Sequence, residues 1–248
     1  FYNQTQWLYD QVTGSNSMNI QFVTYLGDLT QNGDTSTEWT RAVTAINKLE
    51  TDQIPYNAAI VKYSVCRGNH DGTTSFADNF GSSRYSDETW YGGSSSNNQN
   101  HYQFFSAGGY GFLHLNLQYN PSIFDIVWAK SILDANSDKY AILSTHSYLT
   151  YNGYTSEGQN IWNNLVKQYD QIFMVLCGHM HYENLQISQN LYGRRVYEIL
   201  ADYQDRTEGG QGYLRIMEFD IDNNHINVKT YSPSLDSYET DSDSEFTL

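Results

Sequence analysis

Short apolar runs that end in polar or glycine-containing segments recur along the first 181 residues of the chain. Their length and their enrichment in branched and aromatic residues predict strands at 20–26, 60–66, 112–117, 140–144 and 172–177. Apolar residues at a spacing of three and four predict helices that begin after Asn3, Thr35 and Ser122, and one more around 161–169. Strands and helices therefore alternate in this part of the chain.

The pattern changes after residue 181. Strands are predicted at 196–200, 213–219 and 226–231, with no helical spacing between them. Alternation followed by strands alone predicts an α/β fold in which a two-sheet sandwich is flanked by helices, here as a single domain over residues 1–248.

Three local features refine this prediction. The sequence Thr35-Ser36-Thr37-Glu38 has the spacing of a capping box at a helix start. Residues 81–103 are dense in Ser, Gly and Asn, which predicts a loop that serves either as a lid or as plain surface. Residues 234–248 are acidic and Ser-rich, which predicts a C-terminal strap on the surface.

Composition narrows the possible partners. The formal net charge is −15 with only 13 Lys and Arg, which argues against a nucleic-acid backbone as partner. Every apolar run is too short to span a bilayer as a helix, so membrane insertion is not expected. Abundant Ser, Thr, Asn and Tyr with scarce Lys is typical of an exported or cell-surface protein. The two cysteines end apolar runs and are expected to be buried hydrophobes.

Four short polar motifs each follow one of the predicted strands. They are Gly27-Asp28, Gly68-Asn69-His70-Asp71, Thr145-His146 and Gly178-His179-Met180-His181. Ligands of open α/β sheets bind at the carboxyl ends of the strands, so these motifs can meet in one place. Carboxylate, amide oxygen and imidazole together favour Mn, Fe or Zn over a thiolate-bound metal. The glycines fit a sharp exit of the chain from each strand.

With these motifs in this order, the chain resembles the calcineurin-like metallophosphoesterases, a superfamily that hydrolyses phosphomonoesters or phosphodiesters at two metal ions. The resemblance spans about residues 20–181. It implies that Asp28 bridges the two metals and that His181 binds one of them. The other metal would be completed by three further ligands: Asn69, His146 and His179. The resemblance also implies in-line attack on phosphorus by a metal-bound hydroxide.

The same resemblance assigns catalytic roles to two neighbouring residues. His70 would lie over the phosphoryl group and stabilise charge or protonate the leaving oxygen, and Asp71 would orient His70. The remaining histidines are interpreted as structural: His101, His114 and His225.

The family pattern also includes an upstream Asp-x-His or Asp-x-Gln motif on a strand, and residues 1–19 contain neither. We therefore expect the metal of Asp28 and His181 to lack two ligands in this chain, and the other metal to bind better. One alternative is a catalytically impaired module with a structural or binding role at the cell surface. A mononuclear hydrolase is a third hypothesis. The substrate stays open, because the pocket rather than the fold sets that choice.

Overall fold

A computed structural model of the chain describes residues 1–15, 17–50 and 60–248. Its helices are α1 Tyr2–Thr13, α2 Ser36–Ile46, α3 Thr73–Phe80, α4 Ser82–Tyr85, α5 Ile123–Ala135, α6 Ser156–Asn164 and the short α7 Thr207–Gly210, which contains left-handed residues. Two 3-10 turns follow α2 and α6, at Asn47–Leu49 and Val166–Gln168.

The strands fall into one large and three small sheets. Their bounds are β1 Val23–Tyr25, β2 Tyr63–Val65, β3 Tyr91–Ser94, β4 His101–Ala107, β5 Tyr110–Leu117, β6 Tyr140–Thr145, β7 Leu149–Thr150, β8 Gly153–Tyr154, β9 Ile172–Cys177, β10 Glu183–Gln189, β11 Arg195–Ala201, β12 Leu214–Asp220, β13 His225–Ser232, β14 Ser237–Glu239 and β15 Phe246–Thr247.

The large sheet has seven strands in the order β10-β11-β9-β6-β5-β4-β3. Its centre is parallel, since β5 pairs with β6, β6 with β9 and β9 with β11 in parallel register. Antiparallel pairs close both edges. The parallel centre places the carboxyl ends of β6 and β9 next to each other, and these ends carry His146 and His179.

Alternate residues of the large sheet enter two different cores. On one face, Leu113, Leu115 and Leu143 pack with apolar residues of α5 and α6. On the other face, Phe112 and Ile142 pack against β12, β13 and the C-terminal segment. Side chains of a strand point to opposite faces in turn, so burial on both faces requires the near-continuous apolar runs seen in the sequence.

The second face is covered by two small sheets. The four-stranded sheet β12-β13-β14 with β15 lies on one part of it, and the parallel pair β1-β2 lies on another. Polar bonds link the β1-β2 pair to the large sheet, as between the hydroxyls of Thr24 and Ser144 at 3.1 Å. Helices α1 and α2 pack on the outer side of β1-β2. The layers are thus helix, sheet, sheet and helix, and the predicted α/β sandwich is confirmed.

Several local predictions need correction. Thr35 begins α2 without a side-chain cap bond, so the predicted capping box is wrong. The Glu38 carboxylate instead accepts the backbone N–H groups of Gln31 and Asn32, at 2.7 and 2.8 Å. By contrast, Ser122 and Asp125 form a complete capping box at the start of α5.

Residues 81–103 are not the predicted long loop. They contain α4 and the antiparallel pair β3-β4. Tyr85 and Trp90 are buried in the core beneath β2, because their rings pack on Tyr63. They therefore cannot act as an exposed lid over a site.

The acidic segment 234–248 is tied to the small sheet, where β14 and β15 both pair with β13. Cys66 and Cys177 are free and buried, as predicted, and burial raises the pKa of Cys177 to about 12. Within the described ranges, every helix falls short of the length and apolar character needed to cross a bilayer.

Candidate metal centre

Four of the predicted ligands meet where four strands end. Their side chains follow β1, β2, β6 and β9 and are Asp28, Asn69, His146 and His179. The Nε2 atom of His146 is central, at 3.0 Å from Oδ1 of Asn69 and 3.2 Å from Oδ2 of Asp28. Nδ1 of His179 lies 3.2 Å from the same nitrogen. The ligand atoms of Asp28, His146 and His179 all lie within 4.8 Å of one another.

The hydrogen bonding of His146 shows why this group fits a cation. Its Nδ1 lies 2.7 Å from the carbonyl oxygen of Leu26, which can only accept, so Nδ1 carries a proton. In the neutral ring, Nε2 then carries a lone pair instead of a proton. This lone pair faces the oxygens of Asn69 and Asp28, which are also hydrogen-bond acceptors. A divalent metal satisfies all these lone pairs at once, and a backbone carbonyl that fixes the tautomer is a common support of a metal-binding histidine.

The turns that carry the ligands have unusual backbone conformations. Asp28 has φ 52° and His179 has φ 70°, both in the left-handed region that ordinary side chains rarely adopt. Gly27 precedes Asp28 at φ 102°. Strain of this kind persists only where the surrounding structure fixes it, and it concentrates at functional sites.

Gly27, Gly68 and Gly178 each lie just before a proposed ligand, but they differ in how much space a side chain would have there. A Cβ on Gly68 would lie 2.0 Å from Oδ1 of Asp28, and a Cβ on Gly27 would lie 2.7 Å from Nδ1 of His146. A Cβ on Gly178 would meet only ordinary contacts, the nearest at 3.6 Å from Leu26. The prediction that all three serve a sharp exit therefore fails at Gly178, whose φ is outside the left-handed region.

Burial and neighbouring groups shift the pKa values of two proposed ligands, Asp28 and His179. Burial alone would raise the pKa of Asp28, but its bond to His146 and the backbone N–H of His70 at 3.0 Å outweigh burial and lower that pKa. For His179, burial first and then neighbouring His146 lower the pKa. Both shifts favour the deprotonated forms that metals bind.

Asp71 lies behind the site and holds the turn rather than His70. Its carboxylate accepts the N–H of Thr30 at 3.0 Å, the hydroxyl of Thr30 at 3.1 Å and the N–H of Gly68 at 2.9 Å. Burial raises the pKa of Asp71, which these N–H groups partly offset. The predicted role of Asp71 in orienting His70 is not what the geometry shows. Asp71 instead links the turn after β1 to the turn after β2.

His70 lies exposed at the same edge and is held by Gln31. Its Nδ1 is 2.9 Å from the carbonyl oxygen of Gln31, so Nδ1 donates a proton there. The side-chain amide nitrogen of Gln31 lies 3.2 Å from the same ring nitrogen, but it is a donor too, so the backbone carbonyl of Gln31 is the partner that holds the ring. Nε2 is therefore the ring atom of His70 that remains for proton exchange with a substrate.

His181 does not join the group around His146. Its Nδ1 lies 2.6 Å from Oδ2 of Asp205, in the loop after β11, and both side chains are well exposed. Asp205 offered no signal in the sequence, because it follows no apolar run directly. Tyr119 was also missed, and its ring contacts His146 and His179 with centroids 5.9 and 5.4 Å apart.

The model of one protein family matches residues 1–183, and its description is calcineurin-like phosphoesterase. The chain belongs to this family. Members of the calcineurin-like phosphoesterase family are metal-dependent, which agrees with the group of acceptor atoms around His146.

Relatives extend the comparison. The chain is 34% identical over 252 residues to the uncharacterized protein YvnB of Bacillus subtilis (strain 168), a match that covers 97% of this chain and 19% of YvnB. The chain thus spans about a fifth of that relative's length.

Two solved structures share the fold. A dimetal phosphatase from Danio rerio superposes with a TM-score of 0.60 at 13% identity, over 98% of this chain and 88% of that chain. The protein TT1561 of Thermus thermophilus gives a TM-score of 0.50 at 9% identity, over 97% of this chain and 92% of that chain.

Proposed function

We propose that this chain is a metal-dependent phosphoesterase that hydrolyses a phosphomonoester or a phosphodiester. The observation that carries the proposal is the convergence of acceptor atoms on Nε2 of His146, beside an exposed histidine. When bound there, a divalent ion such as Mn, Fe or Zn supplies positive charge next to a phosphoryl oxygen and lowers the pKa of the attacking water. A second ion would need His181 among its ligands.

The residues of the chain have separate tasks in this reaction. Asp28, Asn69, His146 and His179 hold the cation. The oxygen of a water molecule bonds to phosphorus, the ester P–O bond breaks, and the water releases a proton to solvent. Nε2 of a doubly protonated His70 gives its proton to the leaving oxygen, while Gln31 keeps the ring in place.

Matched histidine variants test the proposal. We expect Mn²⁺ to stimulate release of nitrophenol from p-nitrophenyl phosphate or its bis diester. His70→Ala should lose about 100-fold or more in rate while it still binds Mn²⁺ in calorimetry, because the bond from His70 to Asp28 comes from the backbone N–H, which alanine retains. His146→Ala should lose both. His225→Ala, an exposed histidine on β13, should keep both. Hydrolysis that is unchanged in His146→Ala would overturn the proposal.

One observation favours a second function. His181 contacts Asp205 and does not join the candidate ligand group of Asp28, His146 and His179. That group can hold a single cation. A catalytically impaired binding module, placed at the cell surface as the composition suggests, would show Mn²⁺ binding with no hydrolysis of either nitrophenyl ester.

A further inference from the structure

Two exposed tyrosines lie within a few residues of the proposed ligands His146 and His179 along the chain. Tyr151 is 66% exposed and Tyr182 is 48% exposed, and their rings contact each other with centroids 5.7 Å apart. Neither hydroxyl has a hydrogen-bond partner among the described residues. Contiguous exposed apolar surface, here two rings in contact, is found at ligand-binding sites.

The chain positions of the pair tie it to the centre. Tyr182 is three residues beyond His179, so the two Cα atoms are at most about 11 Å apart. Tyr151 lies at the tip of the hairpin β7-β8, which begins three residues after His146. The side-chain amide of Asn184 donates to the carbonyl of Thr150 at 2.7 Å and joins this hairpin to β10.

The hairpin that carries Tyr151 is rigidly supported. Below it, the buried carboxylate of Glu198 accepts the hydroxyls of Tyr148 at 2.7 Å and Tyr154 at 2.9 Å. Tyr154 also stacks on Trp162. A surface that is held in place before binding loses little conformational entropy when a ligand arrives.

We propose that Tyr151 and Tyr182 form a stacking surface for a planar aromatic ring in the leaving group of the substrate. The inference rests on the proposed function, because the phosphoryl group must lie at the metal centre for its leaving group to reach the pair. The substrate class is then a phosphoester of an aryl or heteroaromatic group, rather than of an aliphatic alcohol. Stacking on tyrosine tolerates different planar rings, because each ring offers a π-face.

The large sheet offers a matched control. Tyr110 and Tyr140 contact each other with centroids 5.6 Å apart and are 42% and 50% exposed. They begin β5 and β6 and so lie at the opposite end of the parallel strands from the metal centre.

Binding of two phosphonates, which cannot be hydrolysed at the C–P bond, tests the inference. Calorimetry with the Mn²⁺-treated chain should show that phenylphosphonate binds about tenfold more tightly than methylphosphonate, from one stacking contact. The double substitution Tyr151→Ala/Tyr182→Ala should remove this ratio. Tyr151→Phe/Tyr182→Phe and Tyr110→Ala/Tyr140→Ala should keep it, because the first retains the rings and the second leaves the pair intact.

The outcomes separate this inference from the proposed function. If both phosphonates bind and the ratio is near one, or survives the double alanine substitution, the stacking surface is refuted while the phosphoryl site stands. If neither phosphonate binds, the proposed function and the inference both fail.

Discussion

Replacing Gly68 by alanine should damage the metal centre through a single methyl group. The added Cβ would lie 2.0 Å from Oδ1 of Asp28 and 2.3 Å from its backbone nitrogen, where real contacts begin above 3.0 Å. The Asp28 carboxylate and its backbone must therefore move by about 1 Å. Metal–ligand distances tolerate roughly 0.2 Å, so the cation loses this ligand or the site distorts.

The expected magnitudes follow from overpacking and from ligand displacement. Gly68→Ala should lower the free energy of unfolding without metal by about 1–3 kcal/mol, and Mn²⁺ affinity should fall by roughly 10–100-fold. Gly178→Ala is the control in the same site. Its Cβ meets ordinary contacts, so it should leave affinity unchanged and should raise stability by up to about 1 kcal/mol through the unfolded chain.

Urea unfolding in EDTA and calorimetric titration with Mn²⁺ measure the two effects separately. Equal losses of affinity in Gly68→Ala and Gly178→Ala would refute the argument from distances. So would a Gly68→Ala protein that binds Mn²⁺ as the unchanged chain does.

Two buried groups give predictions about stability. Burial lowers the pKa of His101 to about 4, against 6.5 in the unfolded chain. As the pH falls below 6.5, His101 is therefore protonated in the unfolded state but stays neutral in the folded state, which destabilises the fold. Between pH 7 and pH 5, the free energy of unfolding of the unchanged chain should therefore fall by about 2 kcal/mol more than that of His101→Phe, as measured by urea unfolding in EDTA. Equal losses in the two proteins would show that burial does not shift the pKa of His101. Tyr148→Phe removes a buried 2.7 Å hydrogen bond to the Glu198 carboxylate and should lower the free energy of unfolding by about 1.5–3 kcal/mol. Tyr169→Phe, whose bond to Asp134 is exposed, should cost at most about 0.5 kcal/mol, and similar losses in the two variants would contradict the importance of burial.

The core of the large sheet was predictable because its strands are buried on both faces. The run 172–177 is apolar throughout, and in 112–117 only His114 and Asn116 interrupt the apolar residues, which marks both runs clearly. Strand β10 was missed because it forms an edge, and only Leu185 and Ile187 interrupt its polar residues. The hairpin in 81–103 was missed because Gly, Ser and Asn outnumber the aromatic residues that anchor it in the core.

The part of the candidate metal centre that was predictable from the sequence is the part formed by motifs at strand ends. Asp28, Asn69, His146 and His179 each follow an apolar run, and the parallel strands bring them together. The partners Gln31, Tyr119 and Asp205 lie in loops whose course depends on tertiary packing, so no local pattern marks them. The orientation of His181 toward Asp205 is also a tertiary property. The same is true of Asp71, whose Oδ1 accepts two hydrogen bonds from Thr30, 41 residues away in the chain.

The four proposed ligands, which include His146, come from positions spread between residues 28 and 179, and each strand end carries only one of them. A partly folded chain therefore has no pocket for the cation, since the turns meet only after β1, β2, β6 and β9 have docked. Such long-range closure is slow and comes late in folding. In a refolding sample, metal binding should therefore follow the formation of secondary structure in time. The rate of metal binding then reports when the native topology is complete.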